Sequence, residues 1–297
     1  MYLPDFEYCR PSTVDEACHL LTRFQGDAKV LAGGTDLLPR MKNELIAPRV
    51  LVSLKSIRRM REISHVPGRG IVIGAGAPHN GLMNSSLLQE RYPSIPDAAH
   101  SMANHQIRNL GTVGGNLVSA VPSADLPPIL IALDASLTLS GPTGKRTMPL
   151  RDFFVGPQRS AILPDEVLEE ITIPDQPTTG SAYIKFGLRR SGALAVVGVA
   201  ASVVAEGRSV REARIVLGAV APTPIRARDA EEVLAGRNAT EEILEEAGRA
   251  AAAECKPISD VRGSEEYRRD MVRVFTKRAL RKALHMAENQ GEGGYTQ

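Results

Sequence analysis

Two glycine pairs, each placed just behind an apolar segment, constrain this chain more than any other feature. Gly33-Gly34 lies in the run Lys29-Val30-Leu31-Ala32-Gly33-Gly34-Thr35-Asp36. Gly114-Gly115 lies in Ile107-Arg108-Asn109-Leu110-Gly111-Thr112-Val113-Gly114-Gly115-Asn116. Lacking a Cβ, such residues let the main chain approach an anion closely, and the N–H groups of the turn can point at phosphate oxygens. A helix starting just beyond the turn adds a favourable field. Neither run carries the Gly-Lys-Ser/Thr ending of a nucleoside-triphosphate loop or the spaced glycines of the dinucleotide-binding fold. Two readings stay open: two plain tight turns, or two halves of a split pyrophosphate cradle with the polar residues Ser123 and Asp125 close behind the second.

The patterning around these turns predicts an α+β chain in more than one unit. The first fifty residues read as a βαβ-like unit. A short extended piece (6–10) leads to a helix capped by Thr13, with Glu16 at the capping-box spacing and Ala17, Leu20, Leu21 and Phe24 as its apolar stripe. Strands are expected at 29–32 and 50–54, with a helical start at 37–41. Further on, a strand at 71–77, helices at 80–88 and 95–102, an apolar helix or strand through Leu133, and a hairpin pairing 137–140 with 146–150 are expected. The Pro-, Thr- and Gly-rich stretch 175–180 is the best linker. Beyond it come strands at 182–188, 194–204 and 213–220, then helices at 229–234, 240–253 and 264–287. The resulting organisation is a first domain over 1–176, with lobes of about 1–55 and 56–176, a second domain over 177–287, and a frayed tail over 288–297.

Composition excludes several classes of function. Of 297 residues 43% are hydrophobic, enough for a sizeable core, while a net charge of +2 with scattered Lys and Arg, no Trp and 4% aromatics argues against nucleic acid. The cysteines Cys9, Cys18 and Cys255 form no CxxC pair, and the histidines His19, His65, His79, His100, His105 and His285 show no metal-ligand spacing, so no metal site is expected on this chain. His105 is the histidine nearest a candidate loop. No signal peptide and no apolar run near the ~20 residues of a membrane span are visible, so a cytoplasmic location is the expectation. No Gly-x-Ser-x-Gly elbow supports a hydrolase.

Several ordered motifs resemble one family, the FAD-binding medium subunits of the xanthine dehydrogenase and carbon monoxide dehydrogenase group of molybdenum hydroxylases. The run 29–38 resembles the family's first FAD-binding segment, 107–117 its second, and Pro122-Ser123-Ala124-Asp125-Leu126-Pro127-Pro128 the usual continuation. The opening 6–17, Tyr183-Ile184-Lys185-Phe186, and Gly218-Ala219-Val220-Ala221-Pro222-Thr223-Pro224 also match, so the resemblance spans nearly the whole chain. It implies a two-lobed FAD-binding domain of the vanillyl alcohol oxidase type, followed by a C-terminal domain of antiparallel sheet plus helices. It further implies that Gly33, Gly34, Thr35 and Asp36, with Thr112, Val113, Gly114, Gly115 and Asn116, hold the FAD pyrophosphate through backbone amides. Asp125 would bind sugar or ribityl hydroxyls, Lys29 would flank the first loop, Lys185 would approach the flavin ring, and Ile162 and Leu168 would pack near it. Val30, Leu31, Ala32, Ala103 and Ser123 complete the cofactor-binding set so implied.

In that family the flavin passes electrons from a partner's iron–sulfur clusters to NAD, a quinone or another acceptor, and no side chain of this chain need act as nucleophile or general acid. The molybdenum cofactor would sit on a large partner subunit and the [2Fe-2S] clusters on a small one, giving a heterotrimer that can double. One departure counts: the related subunit of 4-hydroxybenzoyl-CoA reductase carries a cysteine-bearing insertion for an extra cluster, whereas here Gly115-Asn116 runs on to Pro122-Ser123 without one. Without the family, Asp125 reads as a helix cap, Lys185 as a strand lysine snorkelling to solvent, and Arg189-Arg190 as a solvated or subunit-facing pair. The alternatives to an electron-relay subunit are a self-contained flavin-dependent dehydrogenase of the same fold and a nucleotide-binding module without a redox cofactor.

Overall fold

Residues 3–189 and 191–292 are described by a computed structural model, and the element boundaries below refer to them. The chain opens with β1 (Glu7–Cys9), α1 (Val14–Arg23), β2 (Ala28–Leu31), α2 (Leu37–Lys42) and β3 (Val50–Ser53). The Thr13 side chain accepts from the Glu16 N–H, and Glu16 reaches back to the main-chain N–H of Ser12 at 2.7 Å, so the capping box closes one residue early. β3 is central, with β1 and β2 parallel to it on either side. All four of its residues are buried, as a parallel strand covered on both faces requires.

A second sheet follows. Its members are β4 (Ile63–Val66) and β5 (Gly70–Gly74), then β6 (Ser136–Gly141), β7 (Gly144–Pro149) and, beyond the small hairpin of β8 (Phe154–Gly156) and β9 (Arg159–Ser160), β10 (Val167–Ile173). Its order is β4-β5-β10-β6-β7, antiparallel throughout. Between β5 and β6 the chain runs through six short helices: α3 (His79–Asn84), α4 (Ser86–Arg91), α5 (Ser94–His100), α6 (His105–Leu110), α7 (Val113–Val118) and α8 (Leu126–Ala132). The single helix expected over 80–88 is two, because the Ser85 side chain accepts from the Leu88 N–H and starts a new one. The apolar stretch through Leu133 is a helix, α8, and every one of its residues is buried.

The remaining chain forms β11 (Gly180–Phe186), β12 (Val197–Glu206), β13 (Ser209–Gly218), β14 (Ile225–Arg226), α9 (Arg228–Leu234), β15 (Arg237–Asn238), α10 (Glu241–Glu254) and α11 (Glu265–Glu292). β11, β12, β13 and β14 make an antiparallel sheet in that order, and β15 adds to β13. α11 lies on β11 and β12 and packs against α10. It continues to Glu292, past the end expected at 287; the remainder of the expected tail, 293–297, and Arg190 lie outside the described residues. Arg189 is exposed and donates to the Gly192 carbonyl at 3.0 Å. One apolar core joins the first two sheets and takes in Tyr183, Ala200 and Val216 from the third. A second core fills the space between the third sheet and α9 to α11. Among the described residues no helix is long and apolar enough to cross a membrane.

Candidate functional site

A cleft of about 370 Å³ opens where residues beside the first, second and third sheets meet. Its first wall is the turn between β2 and α2. Gly34 adopts φ +80°, a conformation that side chains other than glycine resist. At Gly33 an added Cβ would stand 2.1 Å from the Leu110 carbonyl oxygen, so the two glycine-rich loops touch backbone to backbone. Among the described residues the main-chain N–H groups of Gly33, Gly34, Thr35 and Asp36 have no protein acceptor. The Asp36 carboxylate accepts from the Ser119 hydroxyl at 2.6 Å and so ties this loop to the end of α7.

The second loop is built differently. Thr112 caps α7, its hydroxyl accepting from the Gly115 N–H at 3.1 Å. The N–H groups of Val113 and Gly114 donate to the carbonyls of Ala77 and Ala75, and that of Asn116 to Thr112. In the second loop the N–H groups of residues 113 to 116 are engaged within the fold, and only that of Thr112 has no protein acceptor among the described residues. The first loop therefore presents more open N–H groups than the second, which is stitched to the chain beyond β5. What the second loop offers the cleft is the Thr112 N–H, close-approaching glycine backbone and the Asn116 side chain, whose buried Oδ1 has no partner among the described residues.

The opposite end of the cleft carries a buried ion pair. Asp125 precedes α8 and makes no side-chain cap bond to it, so it is not the helix cap that it resembles in the sequence. One carboxylate oxygen accepts from the Tyr183 hydroxyl at 2.8 Å, the other from the Lys185 ammonium at 2.8 Å. Lys185 also donates to the Ser101 carbonyl at 3.0 Å. Burial raises the Asp125 pKa, and the Lys185 charge with both hydrogen bonds pulls it back. Burial and the neighbouring carboxylate hold the Tyr183 hydroxyl well above its ordinary value, so it stays a donor.

Of the residues singled out in the sequence, the cleft gathers Val30, Ala32, Gly33, Gly34, Thr35, Asp36, Ala103, Thr112, Gly114, Gly115, Asn116, Ser123, Asp125, Ile162, Leu168 and Lys185. It does not gather Lys29, Leu31 or Val113. Strand alternation explains the first two, since Val30 faces the cleft and its neighbours face away: Lys29 is exposed, and Leu31 packs with Met41 and Leu51. Val113 is fully buried in the main core. Ala103, at φ +37°, accepts from the Gly192 N–H at 3.0 Å and so anchors the loop that brings Gly192, Ala193 and Leu194 to the cleft.

The histidine at the site is His79, not His105, which is exposed at the start of α6. The His79 ring is packed under Gly111, where an added Cβ would lie 3.0 Å from Cδ2. Glu166 is a second cleft residue that the motifs do not mark. Its carboxylate accepts a two-pronged bond from Arg146 at 2.6 and 2.8 Å and a bond from the Leu163 N–H at 2.8 Å, fixing the segment that carries Ile162. Among the described residues no group of three or more His, Cys, Asp or Glu side chains could hold a metal ion.

Comparison with known proteins agrees across nearly the whole chain. Residues 4–176 match the family model described as the FAD binding domain in molybdopterin dehydrogenase, and residues 182–283 match the CO dehydrogenase flavoprotein C-terminal domain. The carbon monoxide dehydrogenase medium chain of Hydrogenophaga pseudoflava is 39% identical over 284 residues, 95% of this chain and 98% of that one. The 6-hydroxypseudooxynicotine dehydrogenase complex subunit alpha of Paenarthrobacter nicotinovorans is 35% identical, with 96% of each chain covered. Among solved structures, CO dehydrogenase from Oligotropha carboxidovorans superposes with a TM-score of 0.92 at 36% identity, covering 96% of this chain and 100% of that one.

Proposed function

The chain belongs to the family of FAD-binding medium subunits of molybdenum hydroxylases, and from that premise we propose that it is the electron-relay subunit of such a complex. In this reading it takes electrons from iron–sulfur clusters on a small partner subunit and delivers them to NAD, a quinone or another acceptor. A large partner subunit carries the molybdenum cofactor and binds the substrate. The relatives support that division of labour: their names point to molecules as different as carbon monoxide and 6-hydroxypseudooxynicotine, while the medium chain stays alike.

The observation that carries the proposal is the pairing of opposite ends in one cleft. Open main-chain N–H groups at residues 33–36 suit a pyrophosphate, and the Asp125-held ammonium of Lys185 suits a ring that takes on negative charge when reduced. The orphaned Asn116 Oδ1 is a ready acceptor for a cofactor hydroxyl or amine. The residues present thus fit FAD. When bound, FAD supplies the redox chemistry that no side chain here provides. The amides of Gly33 to Asp36 would bind the phosphate oxygens, while Ile162, Leu168 and Leu194 would shield the ring from water. Asp125 is already engaged on both oxygens, so its part is to hold Lys185, and any bond to a ribityl hydroxyl would use a remaining lone pair.

The test is a visible spectrum of the chain purified with its native partners, followed by chromatography of the cofactor released by heat. Flavin bands, released FAD, and iron–sulfur absorbance with molybdenum on co-purifying chains are expected. Flavin on a chain that purifies and turns over alone would favour a self-contained dehydrogenase instead, and failure to take up FAD would sink the proposal.

A further inference from the structure

Tyr183 does not line the cleft itself but stands behind its polar end, where its hydroxyl meets the Asp125 carboxylate at 2.8 Å. It sits two residues before Lys185 on β11, so both side chains leave the same face of the strand and meet the same carboxylate. Asp125 is 5% exposed, and a desolvated carboxylate oxygen with no donor is costly. The phenol supplies that donor from the side away from Lys185 and fixes the carboxylate plane. The Lys185 ammonium is thereby pinned between Asp125 and the Ser101 carbonyl, and one of its three N–H groups is left over at the cleft wall.

The sheet is cut to admit this arrangement. Gly198 lies opposite Lys185 in the β11–β12 ladder, and a Cβ there would stand 2.8 Å from the Tyr183 hydroxyl but 3.4 Å from the nearest ring carbon. Gly218 lies opposite Gly198 in the next ladder, and a Cβ there would meet Pro128 of α8 at 2.7 Å. Two facing glycines therefore let the phenol and the helix that follows Asp125 settle onto the strand face. The close contact at position 198 is with the oxygen of the phenol, not with its ring.

We propose that Tyr183 is a positioning residue for the cofactor: its hydroxyl orients Asp125 so that the Lys185 ammonium faces the bound flavin, which sets both FAD affinity and the reduction potential. The inference rests on the reading that FAD occupies this cleft with its ring toward Lys185. Without the hydroxyl, the carboxylate is free to turn both oxygens onto Lys185. That draws the ammonium from the ring, makes reduction less favourable and loosens the cofactor.

The test uses the assembled complex, stripped of FAD and reconstituted, with Tyr183→Phe, Gly198→Ala and the double variant. Tyr183→Phe should raise the FAD dissociation constant by about tenfold, the scale of one hydrogen bond to a charged group, and shift the flavin potential to more negative values. Gly198→Ala should act alike by displacing the hydroxyl, and should add nothing in the Tyr183→Phe background, where only ring carbon remains to be met. Wild-type affinity and potential in Tyr183→Phe would overturn the inference. So would a Gly198→Ala effect of equal size in both backgrounds, because that would come from the backbone and not from the hydroxyl. If Tyr183→Phe fails to fold, Gly198→Ala alone decides: unchanged affinity and potential overturn the inference. If the wild-type complex itself takes up no FAD, it is the proposed function that fails.

Discussion

His79 carries a charge history that the folded chain suppresses. Burial first, and the Arg108 cation second, bring its pKa down from 6.5 to about 4. Between those values the unfolded chain binds the extra proton and the folded chain does not, so stability rises with pH across the window. The contribution is complete above the unfolded pKa and is lost as the pH falls toward the folded one, with an upper size of about 3 kcal/mol. His79→Phe should flatten the acid limb of a urea-midpoint profile between about pH 6.5 and 4, the two ends of that shift. An unchanged slope would assign the limb to other groups. The two glycines of the first loop make a second contrast at this scale. Gly33→Ala drives a methyl group onto the Leu110 carbonyl and must part the loops, whereas Gly34→Ala meets only the movable tips of Leu31 and Leu38 at 3.1 Å and adds roughly 1–2 kcal/mol of left-handed strain. Both should lower the flavin-to-protein absorbance ratio of the purified complex, Gly33→Ala more. Full retention in Gly33→Ala would show that the cofactor is not gripped where the loops touch.

At the scale of elements, α7 shows how a short helix is made to stand beside the cleft. Six residues with two glycines have little helical propensity of their own, and the Thr112 cap together with the bonds to Ala75 and Ala77 supplies the order. Thr112→Ala should cost about 1 kcal/mol in denaturant unfolding and loosen FAD, and loss of stability with wild-type FAD affinity would confine Thr112 to a structural role. The same element marks the limit of legibility. A cap such as Thr13 declares itself locally, and so does a glycine turn behind an apolar strand. That the amides of Val113 and Gly114 in the second loop are taken up is decided by a carbonyl row far back in the chain, at Ala75 and Ala77, and no local pattern reports it. Likewise, one residue of β2 faces the cleft and its neighbours do not, because alternation fixes the spacing but not the phase. His79 and Glu166 were illegible for a related reason: Gly111 and Arg146, distant in sequence, give them their surroundings.

At the scale of the whole molecule, α8 decides how independent the two matched regions are. A helix of seven buried residues, apolar on every side, cannot border solvent and must be covered all round. One side meets the core of the first two sheets, and the other lies on β12 and β13, with Tyr183, Ala200 and Val216 counted in the same apolar cluster. Polar links follow the same seam: Ser94 and Ser181 share a buried bond at 2.6 Å, and Gln176 joins the Leu133 carbonyl to Arg214. Although the family models meet near residue 180, the chain should therefore unfold as one cooperative unit even without cofactor. A fragment ending at residue 181 would uncover the outer side of α8 and remove Lys185 with Tyr183. It should aggregate or bind a hydrophobic dye and take up no FAD. FAD added to the intact chain should raise its single thermal transition, by roughly 2.7 kcal/mol of stabilisation at a hundredfold excess over the dissociation constant. Two separate calorimetric transitions, with only the first moved by FAD, would mean that the seam along α8 is a loose contact and that the cleft belongs to the first domain alone.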